Sequence, residues 1–165
     1  MNQQEYELQI FRVAEMLLPA FIQAHKAELG DRKGLYIALL KRGTPKTENA
    51  REKALVKLIG YIPKEKQQEK MEYAMEKVSR LFYRNMGMTE SEIEFSSFES
   101  ENAEKKEFGG GIRTLNFYIA VSGFPPHLDQ KFVLLLSLII EEMSFHNASV
   151  IHTGTLEKQR KWIRK

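Results

Sequence analysis

Residues 109–143 combine a glycine run, an alternating apolar segment, two prolines and a long apolar helix, and this order predicts the centre of a mixed domain. The alternating residues are Leu115, Phe117, Ile119 and Val121 on one face and Thr114, Asn116, Tyr118, Ala120 and Ser122 on the other. A period of two residues is typical of a β-strand with one buried face. The second face is small and mildly polar, so it suits a helix, water or a ligand.

The segment after this strand predicts a helix covered by protein on most sides. Neither Pro125 nor Pro126 can donate to a strand ladder, and Pro126 suits the first position of a helix. The apolar positions of that helix are Leu128, Phe132, Leu135, Ile139 and Met143, widened by Val133, Leu134, Leu136, Leu138 and Ile140. So broad an apolar surface indicates a core helix. The uninterrupted run is shorter than the roughly 20 residues that cross a bilayer, so no membrane partner is expected.

Composition restricts the functional classes. A chain of 165 residues predicts a single domain, here with a basic C-terminal tail from about residue 156. The absence of cysteine excludes disulfides, thiolate metal sites and cysteine nucleophiles. The polar, acidic amino terminus does not resemble a signal peptide, so the predicted location is cytoplasmic.

The remaining patterns predict the other helices and strands. In chain order these are a helix over 5–29 that is kinked or split in two at Pro19, a strand over 35–40, helices over 47–59 and 63–85, and strands over 93–98 and 149–153. Clustered strands interrupted by groups of helices favour an α+β fold. We therefore expect a largely antiparallel sheet of about four strands flanked by helices.

No set of residues has the spacing of a catalytic or metal site. Ser122 lacks the two flanking glycines of a nucleophile elbow, so a turn serine is the simpler interpretation. The histidines form no metal-binding motif, although His127 lies near the turn at Gly123, where it is either an exposed residue or a ligand. An enzyme is therefore not favoured.

Two stretches have a binding interpretation beside a structural one. Glycines 109–111 are either a flexible entry to the strand or a place where backbone amides approach a ligand. The basic tail beside Trp162 is either a solubilising helix or a contact for nucleic acid. Positive and negative residues are interspersed elsewhere and the net charge is only +3, so nucleic acid is the weaker prediction.

The segments FGGGI and YIAVSGFPPHLDQKF resemble the GlcG/HbpS-like heme-binding family. The matching residues are Gly110, Gly111, Ile112, Val121, Ser122, Gly123 and Asp129, with a weaker upstream similarity at Ala50, Lys53 and Ala54. Arg113 stands where the family has proline. The resemblance implies a profilin-like sheet flanked by helices, a homo-oligomer, and binding of heme or another small molecule without a defined reaction.

The first functional hypothesis is thus a small-molecule-binding domain, with heme as the ligand that can be named. Its expected site consists of Gly109, Gly110, Gly111, Tyr118, Ser122, Gly123 and His127. The alternative is an adaptor or interaction protein that acts through a dimer or an exposed surface. A second alternative is nucleic-acid binding through the basic tail.

Overall fold

The computed structural model describes residues 2–89 and 92–145, with the backbone alone for 141–145. The helices are α1 (Gln3–Ala24), α2 (Lys26–Leu29), α3 (Ala50–Lys53), α4 (Lys64–Arg84) and α5 (Pro126–Phe145). The strands are β1 (Lys33–Lys41), β2 (Leu55–Tyr61), β3 (Gly111–Arg113) and β4 (Phe117–Ser122). A 3-10 turn spans Ser97–Ser100.

The four strands form one antiparallel sheet in the order β2-β1-β4-β3. This arrangement confirms the predicted α+β fold and places β4 beside β1 in the interior of the sheet. Ala38 of β1 faces Ala120 of β4 at the centre of their ladder. A loop that precedes the short strand β3 pairs with its outer edge. The Arg113 amide donates to the Phe95 carbonyl, and Ser96 forms an isolated antiparallel β-bridge with Ile112.

Helices cover both faces of the sheet. One face packs against α1 and α5 in a cluster that includes Ile119, Val121 and Phe132. The other face packs against α4, where Tyr118 and Ala120 meet apolar residues of that helix. The small, mildly polar face of β4 therefore contacts a helix, which was one of the three partners predicted for it. Small residues suit this face because they let a helix approach closely.

The predicted helix over 47–59 is wrong. Asn49 caps the four-residue helix α3 by accepting a hydrogen bond from the Arg51 amide at 3.0 Å, and the chain then extends into β2. The apolar residues of β2 have spacings that fit either a helix or a strand. The segment becomes a strand because it pairs with the outer edge of β1 from Lys33 to Leu39.

The predicted strand over 93–98 is also wrong. Only Ser96 forms a β-bridge, and its hydroxyl caps the 3-10 turn by accepting from the Phe98 amide at 3.1 Å. The Glu99 carboxylate accepts from the amides of Phe95 at 2.6 Å and Ser96 at 3.2 Å, so local hydrogen bonds replace a ladder. Before this segment, the Thr89 hydroxyl donates to the Glu92 carboxylate at 2.8 Å.

The amino-terminal helix differs in one detail from the prediction. Pro19 lies inside α1 without ending it, and the break before α2 falls at His25. The predicted strand over 149–153 and the basic tail lie outside the described residues. Within the described part of the chain, no helix is both long and apolar enough to span a bilayer.

Candidate functional site

The predicted glycine cradle is closed by the protein itself. The Gly110 amide donates to Gln130 Oε1 and the Gly111 amide to Ser97 Oγ, each at 2.8 Å. A Cβ atom added to Gly110 would lie 2.7 Å from Asp129 Cβ, and one added to Gly109 would lie 2.9 Å from the Phe98 ring. Positions 109 and 110 require glycine because neighbouring side chains fill the space that a Cβ atom would occupy. The amides of Gly110 and Gly111 already have hydrogen-bond partners.

A buried ion pair lies directly beneath these glycines. Lys77 Nζ donates to Asp129 Oδ2 at 3.1 Å and to the Val121 carbonyl at 2.7 Å, while Asp129 Oδ1 accepts from the Phe124 amide at 3.0 Å. The two charged residues are 1% and 2% exposed. The pair joins α4, the end of β4 and the first turn of α5, so its role is to hold these elements together.

Burial shifts both pKa values toward the neutral forms. Desolvation lowers the pKa of Lys77 and raises the pKa of Asp129, and the attraction between the two charges opposes both shifts. Sequence reasoning placed Lys77 on a solvated helix face, because α4 is rich in lysine and glutamate. Only its position opposite Asp129 of α5 distinguishes it from the other lysines.

The turn after β4 is closely packed at Ser122 and Gly123 and ends near an exposed histidine. Ser122 is 3% exposed, and a Cβ atom on Gly123 would lie 2.4 Å from the Gly34 carbonyl oxygen. The His127 ring, whose side chain is 55% exposed, contacts a Glu28 carboxylate oxygen at 2.6 Å. This hydrogen bond lowers the pKa of Glu28. His127 therefore belongs to a surface pair between α2 and α5.

A different cleft opens at the other end of β4, between the β3–β4 hairpin and the carboxyl end of α4. We call it the hairpin cleft; its volume is about 580 Å³. It is lined by Arg42, Gly43, Asn85, Met88, Ile93, Arg113, Leu115, Asn116 and Tyr118. Of the seven predicted site residues, Tyr118 lines this cleft, and Gly123 lines a separate one of about 390 Å³ near the start of β1.

Arg113 is the unusual residue of the hairpin cleft. It is 7% exposed, yet its guanidinium has no hydrogen bond or ion pair to any residue that the structure describes. Its partner across the sheet is Tyr118, which is 6% exposed and whose hydroxyl likewise has no partner in the described ranges. Buried charged groups are normally paired, because an unpaired charge loses its hydration. The cleft is thus lined by two donor side chains from paired positions of β3 and β4 that have no acceptor among the described residues.

Neighbouring residues shape the cleft through contacts with the protein. Arg42 Nη1 donates to the carbonyls of Thr114 at 3.2 Å and Leu115 at 2.6 Å, which fixes the hairpin turn. The Asn85 amide group exchanges hydrogen bonds of 2.8 Å and 2.7 Å with the Glu94 backbone. Among the lining residues that the structure describes, the charged side chains are those of Arg42 and Arg113, and none is a carboxylate.

The sequence analysis did not select Arg113 as a site residue. The one signal was that the family resembled by the neighbouring segments has proline at this position. An arginine in a strand is most often exposed, so its burial depends on the loop of residues 95–96 that covers the edge of β3.

Comparisons of the chain with known proteins do not identify its family. No family model matches the chain, and neither a curated protein nor a solved structure matches it. In the part of the chain that the structure describes, no three histidine, aspartate or glutamate side chains are grouped so as to hold a metal ion. The functional argument therefore depends on the geometry of the hairpin cleft.

Proposed function

We propose that this protein is a small-molecule-binding domain and that its ligand is an anion held in the hairpin cleft. The observation that carries this proposal is Arg113, a residue that is 7% exposed and whose guanidinium lines the cleft without a partner among the described residues. An anion would supply the missing acceptor and offset the desolvation of the charge.

The surroundings of Arg113 suit such a ligand. The cleft volume of about 580 Å³ is within the range of roughly 300–1,000 Å³ typical of small-molecule sites. The Tyr118 hydroxyl adds a second donor beside the guanidinium, and Arg42 adds positive charge at the hairpin turn. Partial burial strengthens these interactions, because fewer water molecules compete for the ligand.

The test is a titration of the protein with small anionic, neutral and cationic compounds, followed by amide chemical-shift changes. We expect the anions to shift resonances of the hairpin and of Asn85, and Arg113→Gln to abolish these shifts. Arg12→Gln is the matched control, since it removes the same charge from an exposed position on the opposite side of the sheet. Equal shifts in the wild type and Arg113→Gln would refute the proposal.

Heme remains the ligand that the family resemblance suggests, and it is tested separately. His127, for which a ligand role was one of two interpretations, lies beyond one end of β4. The hairpin cleft lies at the other end, about 17 Å along the strand. Hemin would have to displace Glu28 from His127 or bind through its carboxylates near Arg113. No change in the Soret band at micromolar hemin would remove heme, and the variants His127→Ala and Arg113→Gln would distinguish the two modes.

An interaction role is the second candidate, favoured by the open edge of β2. The outer side of this seven-residue strand has no backbone hydrogen bond to another element of the described chain. Leu55 and Tyr61 on it are 45% and 65% exposed. An open edge of this kind pairs readily with another strand, including that of a second copy. Sedimentation should then show a dimer that Leu55→Glu/Tyr61→Glu dissociates; a monomeric wild type would exclude it.

A further inference from the structure

We infer that the partner of the open β2 edge is a second copy of this chain, whose β2 pairs antiparallel about a two-fold axis at Leu58; this inference rests on the interaction role proposed above. The two four-stranded sheets then continue into each other. Three properties of the edge support this pairing. They are its exposure, the positions of its apolar residues, and the neutralisation of its one charged residue.

The outer side of β2 is the edge of the sheet that the described chain leaves uncovered. At the opposite edge, the loop before β3 pairs with that strand, because the Phe95 carbonyl accepts from the Arg113 amide and Ser96 bridges Ile112. No described segment pairs in this way with the outer side of β2. Edge strands are usually very short, interrupted by proline or covered, whereas β2 has seven residues and no proline. This edge is therefore suited to pairing with another strand.

The two-fold symmetry restricts the register of the pair. Residues that stand opposite each other in an antiparallel ladder point to the same face, so one residue must pair with itself on the axis. With Leu58, the middle residue of β2, on the axis, all seven residues are paired. Leu55 then lies opposite Tyr61 of the second copy. These two residues are 45% and 65% exposed, and the pairing covers both of them on each side of the axis.

Helix α1 extends the apolar surface beside the edge. Lys57 Nζ lies 5.6 Å from the centre of the Phe11 ring and 2.7 Å from Glu15 Oε1, so this side of α1 borders β2. Leu8 precedes these two helical residues by three and seven positions and therefore lies on the same side of α1. It is 48% exposed. Leu55 and the first turns of α1 line a common cleft, so Leu8 and Leu55 are both available to the second copy.

The charge at the centre of the edge also suits a second copy. Lys57 is the one charged residue of β2, and a lysine on an edge strand normally opposes association. Here Glu15 pairs with it, and both side chains remain about half exposed, at 45% and 48%. Two copies bring together two ammonium groups and two carboxylates, which can exchange partners across the axis. The edge is thus complementary to itself in charge as well as in apolar surface.

The contact area predicts a weak dimer. Seven residues at about 3.4 Å each form a strip about 24 Å long, and one sheet layer with one helix layer is about 20 Å high. Two such strips bury about 1,000 Å² in total, which is the lower limit for a specific interface. We therefore expect a micromolar dissociation constant and not a nanomolar one.

The first experiment uses the absence of cysteine from the chain, which makes introduced cysteines specific probes. Leu58→Cys should form a disulfide-linked dimer under mild oxidation, because residue 58 pairs with itself. Lys57→Cys is the matched control, since its two Cα atoms would lie about 8 Å apart, beyond the limit of about 7 Å for a disulfide. A mixture of Leu55→Cys and Tyr61→Cys should give a mixed dimer, whereas neither variant should cross-link alone.

The second experiment tests the charges by sedimentation equilibrium. Lys57→Glu places only carboxylates around the axis and should weaken the dimer at least about tenfold. The swapped variant Lys57→Glu/Glu15→Lys should restore it, because each copy again contributes one charge of each sign. Lys131→Glu, which reverses an exposed charge on α5, is the control and should not change the dissociation constant. Circular dichroism establishes that each variant is folded.

The outcomes separate the inference from the role on which it rests. A dimer that cross-links through Lys57→Cys and not through Leu58→Cys would overturn the register and leave the interaction role standing. A wild type that stays monomeric at millimolar concentration would overturn both. Arg113→Gln should dimerise as the wild type does, so the anion site of the hairpin cleft is tested independently.

Discussion

Replacing Asp129 by asparagine is the sharpest test of how the fold is held together. The substitution preserves the size of the side chain and one oxygen that can accept from the Phe124 amide. It removes the negative charge that faces Lys77, which is 1% exposed and has the Val121 carbonyl as its other hydrogen-bond partner. The ammonium group would then be buried without a counter-charge.

The expected loss of stability in Asp129→Asn is large. Removing one partner of a buried ion pair typically costs about 3–5 kcal/mol of the free energy of unfolding. For a domain of this size, each kcal/mol lowers the melting temperature by about 2–4 °C, so Asp129→Asn should lower it by about 6–20 °C. Urea unfolding followed by circular dichroism measures the free energy directly. Lys53→Met is the control, because the Lys53–Glu48 pair is exposed and exposed pairs contribute at most about 1 kcal/mol.

The penalty of Asp129→Asn should also depend on pH. Burial lowers the pKa of Lys77, so between that lowered pKa and its ordinary value of 10.5 the unfolded chain binds more protons than the folded protein. Stability contributed by such a group rises with pH. Without Asp129 the pKa of Lys77 falls further, and the stability of the variant should recover as pH increases from 7 toward 10.

The stability of the reciprocal variant, Lys77→Met, should depend on pH in the opposite direction. In Lys77→Met, burial raises the pKa of Asp129 without an opposing cation. The folded protein then binds the proton more readily than the unfolded chain, so the penalty should shrink as pH falls from 7 toward 4. The double variant Lys77→Met/Asp129→Asn should be less destabilised than the sum of the single variants. A loss below about 1 kcal/mol for Asp129→Asn, with additive single variants, would refute a coupled buried pair.

Three further predictions concern other positions. Gly34→Ala should prevent stable folding, because its Cβ atom would lie 2.4 Å from the Tyr61 backbone nitrogen; a cooperative melt like that of the wild type would contradict this. Tyr83→Phe should cost about 0.5–1.5 kcal/mol in urea unfolding, since the hydroxyl accepts from the Ala50 amide at 3.2 Å; no loss would show that water replaces it. Arg113→Gln should raise the stability of the ligand-free protein while abolishing anion binding, and a lower urea midpoint would indicate a structural role.

Elements with a single consistent local signal were predicted correctly. The apolar surface of α5 has one period, and this helix lies where the sequence analysis placed it. The alternation also predicted β4, although the strand begins at Phe117 and residues 114–116 form the turn that follows β3. The segment 47–59 failed because its apolar spacing fits two structures, and the deciding hydrogen bonds come from β1, a separate part of the chain.

The candidate site was predicted less well than the fold. Glycines 109–111 were recognised as a place where the backbone is closely approached, and the groups that approach proved to be Gln130, Ser97 and the buried ion pair. For His127 the sequence left two interpretations, an exposed residue or a ligand, and its 55% exposed side chain confirms the first.

The sequence by itself determined that this chain forms helices packed on an antiparallel sheet, because the periods of its apolar residues are local properties. Tertiary structure alone decided which charged residues matter. Lys77 and Arg113 resemble many other basic residues in the chain, and they differ from these only in being buried, one opposite a carboxylate and one without any partner among the described residues. The free energy of a charge depends on the groups and solvent around it, and those surroundings come from segments distant in the sequence.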